Sequence, residues 1–290
     1  MSIRLIASDM DGTLLDPYTN ITEANREAIR RLPEYGVEFL ICSGRDYADA
    51  HNITESNGIS CNYICLSGAA VYENDGTPLS SIPLTAQNLS DITKVFAEYG
   101  APLDILSSNG RFSTGNREKK LAEMYSFLNG RKPLPKVIPE ELKQAVERRM
   151  SGIMFIRNIA EIPDSVKIYK ICGNNLPEEL VIRMKEVFLD YPDLAAASSF
   201  KDNIELTNTA AQKGNALKQY ARLKGIDFMD VMVLGDSDND LSMFTPEFGW
   251  TVAMGNAMPC IRDNAKYHTK SNAEDGVAWA IRKYVFRENI

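Results

Sequence analysis

Histidine is nearly missing: the chain of 290 residues holds two, His51 and His268. A His-based catalytic triad or a histidine-rich metal centre therefore has little to draw on. Cysteine is sparse as well. The five (Cys42, Cys61, Cys65, Cys172 and Cys260) are odd in number and scattered, which favours reduced thiols in a cytoplasmic protein over a disulfide framework. Cys61 and Cys65 lie close in sequence, but the second pair that a zinc site needs does not follow. Long apolar runs are absent, so no membrane span is expected. Arg4 and Asp9 interrupt any apolar core at the start, and no secretory pattern is expected there. Positive charge is not in excess. With a net charge of -7 and a pI near 5.1, the chain lacks the basic stripe of a general nucleic-acid binder. The basic clusters at Arg117–Lys120 and Glu147–Arg149 include acids and suit solvated helix faces.

What is present is ordinary for a globular protein, with 44% hydrophobic and 24% charged residues, at a length comfortable for two domains. The informative stretch comes early. The apolar run Ile3–Ala7 leads straight into Asp9-Met10-Asp11-Gly12-Thr13. The run predicts a buried strand of a parallel sheet, ended at a turn. Two acids one residue apart at such a place repel each other, and burial opposes the ionisation of both. A divalent cation, or a division of labour between a nucleophile and an acid/base, would make the pair useful. An Asp-Gly turn is the plainer alternative.

Farther along, Thr22 is placed to cap a helix with Ala24, Ala28 and Leu32 on its apolar face and Gly36 as its stop. Val37–Cys42 reads as a second buried strand ending at Ser43-Gly44-Arg45, and Tyr63–Leu66 as a third ending at Ser67-Gly68-Ala69. Strands alternating with helices predict a parallel α/β sheet. The rhythm changes at Ile82-Pro83 and returns after Asn208. Residues 83–208 are therefore expected to form an inserted α+β domain, and 1–82 with 209–290 a discontinuous core. Within the insert, Val166–Ile171 alternates as a strand with one wet face should, and Lys170 on it is expected to be an exposed structural lysine, with contact to a substrate as the alternative.

Gly235-Asp236-Ser237-Asp238-Asn239-Asp240 follows another apolar strand, Val231–Leu234. Ligands of open α/β sheets gather outside the carboxyl ends of the strands, so this acidic turn and the Asp9 turn are expected to share one rim. Converging carboxylates suit a hard cation such as Mg²⁺. An EF-hand is the rival, since Asp236, Asp238, Asp240 and Glu247 match its acidic spacing. Leu241 stands where that loop requires Gly, and a strand rather than a helix precedes it. Lys213, opening a helix, is unfavourable against the helix dipole unless it faces an anion; a solvated surface lysine is the alternative. Ser43-Gly44 offers a hydroxyl and a bare backbone N–H to phosphate oxygens; a plain turn is the alternative.

Asp9-Met10-Asp11-Gly12-Thr13-Leu14, Ser43-Gly44-Arg45, Lys213-Gly214 and Gly235-Asp236 with Asn239-Asp240 stand in the order of the four motifs of haloacid dehalogenase-like hydrolases. The chain resembles the Cof-type branch, with a large cap between the second and third motifs. The likeness runs on through Ala253–Ala257 and Glu274–Ala278. The resemblance implies a Rossmann-like parallel-sheet core with an inserted α+β cap domain. It implies Asp9 as the nucleophile that becomes an aspartyl-phosphate, and Asp11 as the acid/base. Ser43 and Lys213 would hold the phosphoryl oxygens, assisted by Asn239 and the backbone of Met10 and Gly44. Mg²⁺ would be bound by Asp9, the main-chain carbonyl of Asp11 and Asp236, with Asp240 acting through water. An acid at Asp11 distinguishes phosphoryl transfer from the dehalogenases.

Ser67 stands where many relatives have Asn, and Asn208–Ala211 departs from the usual stretch before the lysine. The implied activity is a Mg²⁺-dependent phosphatase of small phosphate esters, with neither nucleic acid nor membrane as partner. A sugar-phosphate mutase using the same intermediate is the alternative, and a non-enzymatic phosphate acceptor a third. The substrate and the oligomeric state stay open.

Overall fold

Leu5–Ser8 forms strand β1, buried at every residue, in a computed structural model that describes residues 2–130 and 132–289. The chain divides into two compact units, Met1–Ile82 with Thr209–Ile290, and Pro83–Asn208. In the first half of the discontinuous unit, β1 is followed by α1 (Glu23–Arg31), β2 (Glu38–Cys42), α2 (Tyr47–Ser56), β3 (Asn62–Cys65), β4 (Ala70–Tyr72) and β5 (Pro78–Ser81). The intervening unit runs α3 (Ala86–Glu98), β6 (Asp104–Ser107), β7 (Gly110–Ser113), α4 (Arg117–Leu128), α5 (Glu140–Ser151) and β8 (Ile153–Phe155). It ends with β9 (Ile168–Gly173), α6 (Glu178–Phe188), β10 (Leu194–Ala197) and β11 (Ile204–Asn208). The first unit resumes with α7 (Lys213–Leu223), β12 (Val231–Gly235), β13 (Trp250–Ala253), α8 (Pro259–Arg262), β14 (Tyr267–His268) and α9 (Gly276–Tyr284).

The first unit carries one sheet in the order β14-β13-β12-β1-β2-β3-β4-β5. Its six strands from β14 to β3 are parallel, and β4 and β5 add an antiparallel edge. Runs such as Leu5–Ala7, Leu40–Cys42 and Val231–Leu234 are buried throughout, as strands covered on both faces must be. Ser8 lies level with Leu234 on one side and Ile41 on the other. Asp9, Ser43 and Asp236 therefore leave the sheet at the carboxyl ends of three adjacent strands. That edge is where ligands of such sheets collect.

Helix α1 begins as the sequence predicts, with the Asn25 N–H donating to the Thr22 side chain. It passes into a short tight helix, Leu32–Tyr35, closed by Gly36 at φ 68°. Its buried face differs from expectation. Asn25 is fully buried whereas Ala24 is only half-buried, because the Asn25 amide bridges two backbone groups from other parts of the chain. It donates to the Leu14 carbonyl at 3.2 Å and accepts from the Ala278 N–H at 2.8 Å.

The second unit has a six-stranded sheet, β10-β11-β9-β6-β7-β8, antiparallel except for β7 and β8. Helices α3 and α6 bring Ile92, Phe96, Met184 and Phe188 into one core with Ile105, Ile171 and Leu206 of the sheet. The expectation of an exposed Lys170 is corrected here. All six residues of β9 are buried, and Lys170 is 2% exposed. Its ammonium pairs with Glu205 on neighbouring β11, and Glu205 also accepts from Ser199 Oγ at 2.7 Å and Asn203 Nδ2 at 3.0 Å.

Burial pushes the Glu205 carboxyl up, but the charge of Lys170 and these hydrogen bonds outweigh it and hold it below its ordinary value. An acid with a depressed folded pKa adds stability above its unfolded pKa and loses it as pH falls through the folded one. Glu205→Gln is therefore expected to cost about 3 kcal/mol near neutral pH. The gap from wild type should narrow below about pH 4. Urea midpoints at pH 7 and 3.5 measure this; a pH-independent gap would assign the loss to packing instead.

Among the described residues no helix is long and apolar enough to cross a membrane, and all five cysteines are unpaired.

Candidate active site

Asp9 continues the ladder of β1, its N–H donating to the Leu234 carbonyl at 3.0 Å, and its side chain is enclosed, with 3% of the residue exposed. Lys213, the first residue of α7, is equally buried, which rules out the surface alternative. Its Nζ donates to Asp9 Oδ1 and Asp240 Oδ1, each at 2.7 Å, and reaches Asn239 Oδ1 at 3.5 Å. The approach depends on Gly214. A Cβ there would lie 1.8 Å from the Ser242 carbonyl oxygen, so any larger residue would push α7 and its lysine away from the acidic turn.

That turn is held by its own last acid. Asp240 Oδ2 accepts the N–H groups of Asp236 and Ser237 at 3.0 and 3.1 Å, which leaves Asp236 facing the loop after β1. Thr13 Oγ1 donates to Asp236 Oδ1 at 3.0 Å. Gly12, at φ +84°, makes room for it, since a Cβ there would come within 2.4 Å of Asp236 Oδ2. Asp9, Asp236 and Asp240 each offer an oxygen within 4.8 Å of the others. Asp9 Oδ2 is buried without a hydrogen-bond partner.

One lysine does not balance three clustered carboxylates. Burial and then the Asp240 charge push the Asp9 carboxyl well above its ordinary value, against the pull of Lys213. Burial and Asp240 likewise raise Asp236 to about 7. Burial opposes the charge of Lys213, but Asp240 and Asp9 outweigh it and raise that group too. The all-oxygen donor set, the orphaned Asp9 oxygen and the surplus of negative charge fit a hard divalent cation.

The remaining sequence-derived residues form a second, adjoining group. Ser43 is buried; its N–H donates to the Ile64 carbonyl at 2.8 Å and its Oγ accepts the Arg45 N–H at 3.1 Å. Gly44 lies half-buried between them. Met10 is buried, and its carbonyl accepts the N–H groups of Thr13 and Leu15. Asp11 joins this group through Arg45. The guanidinium donates to both of its carboxylate oxygens, Nε to Oδ2 and Nη2 to Oδ1, each at 2.7 Å. The structure thus links Asp9, Asp236, Asn239, Asp240 and Lys213 in one network, and Asp11 with Ser43 in another.

Several contributors went unassigned from sequence. Arg45 stands in the sequence as the last residue of the Ser43-Gly44-Arg45 turn and motif, with no role of its own. Three asparagines grip three carbonyls of the loop after Asp11: Asn256 donates to Gly12 at 2.8 Å, Asn25 to Leu14, and Asn272 to Leu15 at 2.8 Å. The Asn272 N–H in turn donates to Asn256 Oδ1 at 2.9 Å, and Thr22 Oγ1 donates to Asp275 at 2.6 Å. The stretch around Asn256 is thereby explained as a brace of that loop, and Asp275 as a tie to the start of α1. Their only sequence signal was the extended family likeness.

A family model described as haloacid dehalogenase-like hydrolase matches residues 6–281. A Bacillus subtilis protein named 5-amino-6-(5-phospho-D-ribitylamino)uracil phosphatase YwtE is 31% identical over 286 residues, covering 96% of this chain and 97% of its own. Phosphatase YwpJ of the same organism is 30% identical over 97% of this chain and 99% of its own. A solved haloacid dehalogenase-like hydrolase from B. subtilis superposes with a TM-score of 0.83 at 29% identity, over 97% of this chain and 99% of that one. The parallel sheet, the acidic rim at its carboxyl edge and these likenesses agree: the chain belongs to the haloacid dehalogenase-like hydrolases and is a phosphatase of that family.

Proposed function

We propose that the protein is a Mg²⁺-dependent phosphatase of small phosphorylated metabolites that carries the phosphoryl group on Asp9. Asp9 itself is the observation that carries this reading. Oδ1 is anchored by Lys213 at 2.7 Å, while Oδ2 is buried and left to a partner from outside the chain. Asp9 and Asp236 would hold the cation together with the Asp11 carbonyl, and Asp240 would act on it through water. When bound, such a cation neutralises phosphate charge and polarises the phosphoryl oxygens.

The chain's own groups then divide the work. An Asp9 carboxylate oxygen attacks phosphorus as the bond from phosphorus to the ester oxygen breaks, and Asp11 gives its proton to the departing alcohol. Asp11 next takes a proton from water, whose oxygen attacks phosphorus; the bond to Asp9 breaks and inorganic phosphate leaves. Lys213, kept charged by its two carboxylates, offsets the negative charge of nucleophile and phosphate. Ser43 Oγ and the N–H groups of Met10 and Gly44 donate to the phosphoryl oxygens, and Asn239 steadies Lys213. The name of one relative specifies a phosphorylated ribityl group, which supports small phosphomonoesters as the substrate class. Five unpaired cysteines support a cytoplasmic setting.

Phosphate release from a panel of phosphomonoesters tests the reading. EDTA should lower release at least about 100-fold and added Mg²⁺ should restore it. Release that ignores EDTA would remove the metal from the reading. Bisphosphate-dependent transfer between sugars, without net release, would give the site to a mutase.

A further inference from the structure

We propose that Arg45 is a positioning residue of the reaction, aiming the Asp11 carboxyl at the oxygen of the departing alcohol. The inference rests on the acid/base role of Asp11 proposed above. The side chain of Asp11 is 41% exposed and, without a partner, would sample several rotamers. The planar fork of Arg45 removes that freedom, because two parallel hydrogen bonds of 2.7 Å fix both the place and the plane of the carboxylate.

Arg45 is itself held at the backbone. Its N–H donates to Ser43 Oγ at 3.1 Å and its carbonyl accepts the Leu66 N–H at 2.9 Å. The next residue, Asp46, caps α2 by accepting the Asp49 N–H at 3.0 Å. Under this turn Leu66 and Ser67 take φ of 53° and 60°, a conformation that side chains resist. From it the Ser67 N–H reaches the Ser43 carbonyl at 3.0 Å. The loop behind Asp11 is gripped by Asn256, Asn25 and Asn272. Both ends of the Arg45–Asp11 pair are therefore fixed, and the pair is the joint between the loop after β1 and the loop after β2.

The fork takes one lone pair of each Asp11 oxygen and leaves the other, so the carboxyl can meet an alcohol oxygen while Arg45 still holds its plane. Lysine, a point charge on a flexible stem, cannot hold two oxygens in one plane.

Proton delivery matters for a basic leaving group and little for a weakly basic one, and that contrast separates aiming from scaffolding. With the Mg²⁺-loaded enzyme, Arg45→Ala is expected to lower kcat/KM for an alkyl phosphate about 100-fold, but for p-nitrophenyl phosphate less than about threefold. Arg45→Lys should fall between wild type and Arg45→Ala on the alkyl ester, and millimolar guanidinium should restore part of the alkyl activity of Arg45→Ala. Equal losses on both esters, or Arg45→Lys equal to wild type, would overturn the inference. Asp9→Asn is the control for the reading beneath it. If that variant still releases phosphate, the reading of the site fails; if it is inactive while the Arg45 variants lose both esters equally, only the role of Arg45 fails.

Discussion

Asp9→Asn is expected to lose turnover by at least about 10⁴-fold and to make the metal-free protein more stable. The first effect follows from chemistry. An amide oxygen still accepts from Lys213, so the fold keeps its contact, but it is too weak a nucleophile to take a phosphoryl group. The second follows from the electrostatics of the resting site. Burial, then the charge of Asp240, raises the Asp9 carboxyl well above its ordinary value even with Lys213 alongside. An acid whose folded pKa exceeds its unfolded value, about 4, costs stability once pH passes the unfolded value.

That cost is present at pH 7 and vanishes below about pH 4, where the group is protonated in both states. Urea denaturation in EDTA should therefore find the variant more stable by about 1 kcal/mol near neutrality, with the two curves meeting in acid. Mg²⁺ should then stabilise wild type more than the variant, because binding to the folded state alone raises stability in proportion to affinity. A variant that turns over, or one less stable than wild type in EDTA at pH 7, would contradict the assignment of Asp9.

The local pattern was informative where a short segment carries its own reason for its conformation. Leu5–Ser8 and Val231–Gly235 are buried strands because their apolar runs have no polar face to expose, and each ends where acids and glycine begin. Lys213 could be suspected of facing an anion because a lysine in the first turn of a helix has an electrostatic cost to explain. What stayed hidden depends on partners distant in sequence. Alternation around Lys170 predicts a wet face, yet Glu205 arrives from another strand and takes the lysine inside. Asn25 resembles any helix surface residue until Leu14 and Ala278 present backbone groups to it. Arg45 sits in a turn that suits phosphate, and only the path of the loop after β1 sets Asp11 against it. Strands β4, β6, β7 and β10, of three or four residues each, are too short for alternation to register.

Lys213→Met is expected to have the largest effect on stability, about 3–5 kcal/mol near neutral pH without metal, along with loss of activity. Lys213 Nζ lies 2.7 Å from both Asp9 Oδ1 and Asp240 Oδ1, and Asp236 adds a third carboxylate to the cluster. Methionine fills the space of the stem and leaves those acids facing one another with nothing positive between them.

The pH dependence identifies the cause. In wild type the raised pKa of Lys213 contributes stability in full below its unfolded value near 10.4, so that contribution is constant between about pH 5 and 7.5. In the variant the Asp9 and Asp236 carboxyls, already raised, move further up, and raised acids cost more stability as pH rises. The deficit of Lys213→Met should accordingly be large at pH 7.5 and shrink at pH 5, as Asp9 and Asp236 take up protons. Adding Asp240→Asn should recover part of it at pH 7.5 by removing one of the opposed charges, a coupling that double-mutant cycles resolve. Mg²⁺ should recover part as well, standing in for the missing positive charge. A deficit of equal size at both pH values, untouched by Asp240→Asn, would mean that Lys213 supports the fold by packing alone, and the charge balance proposed for phosphoryl transfer would lose its keystone.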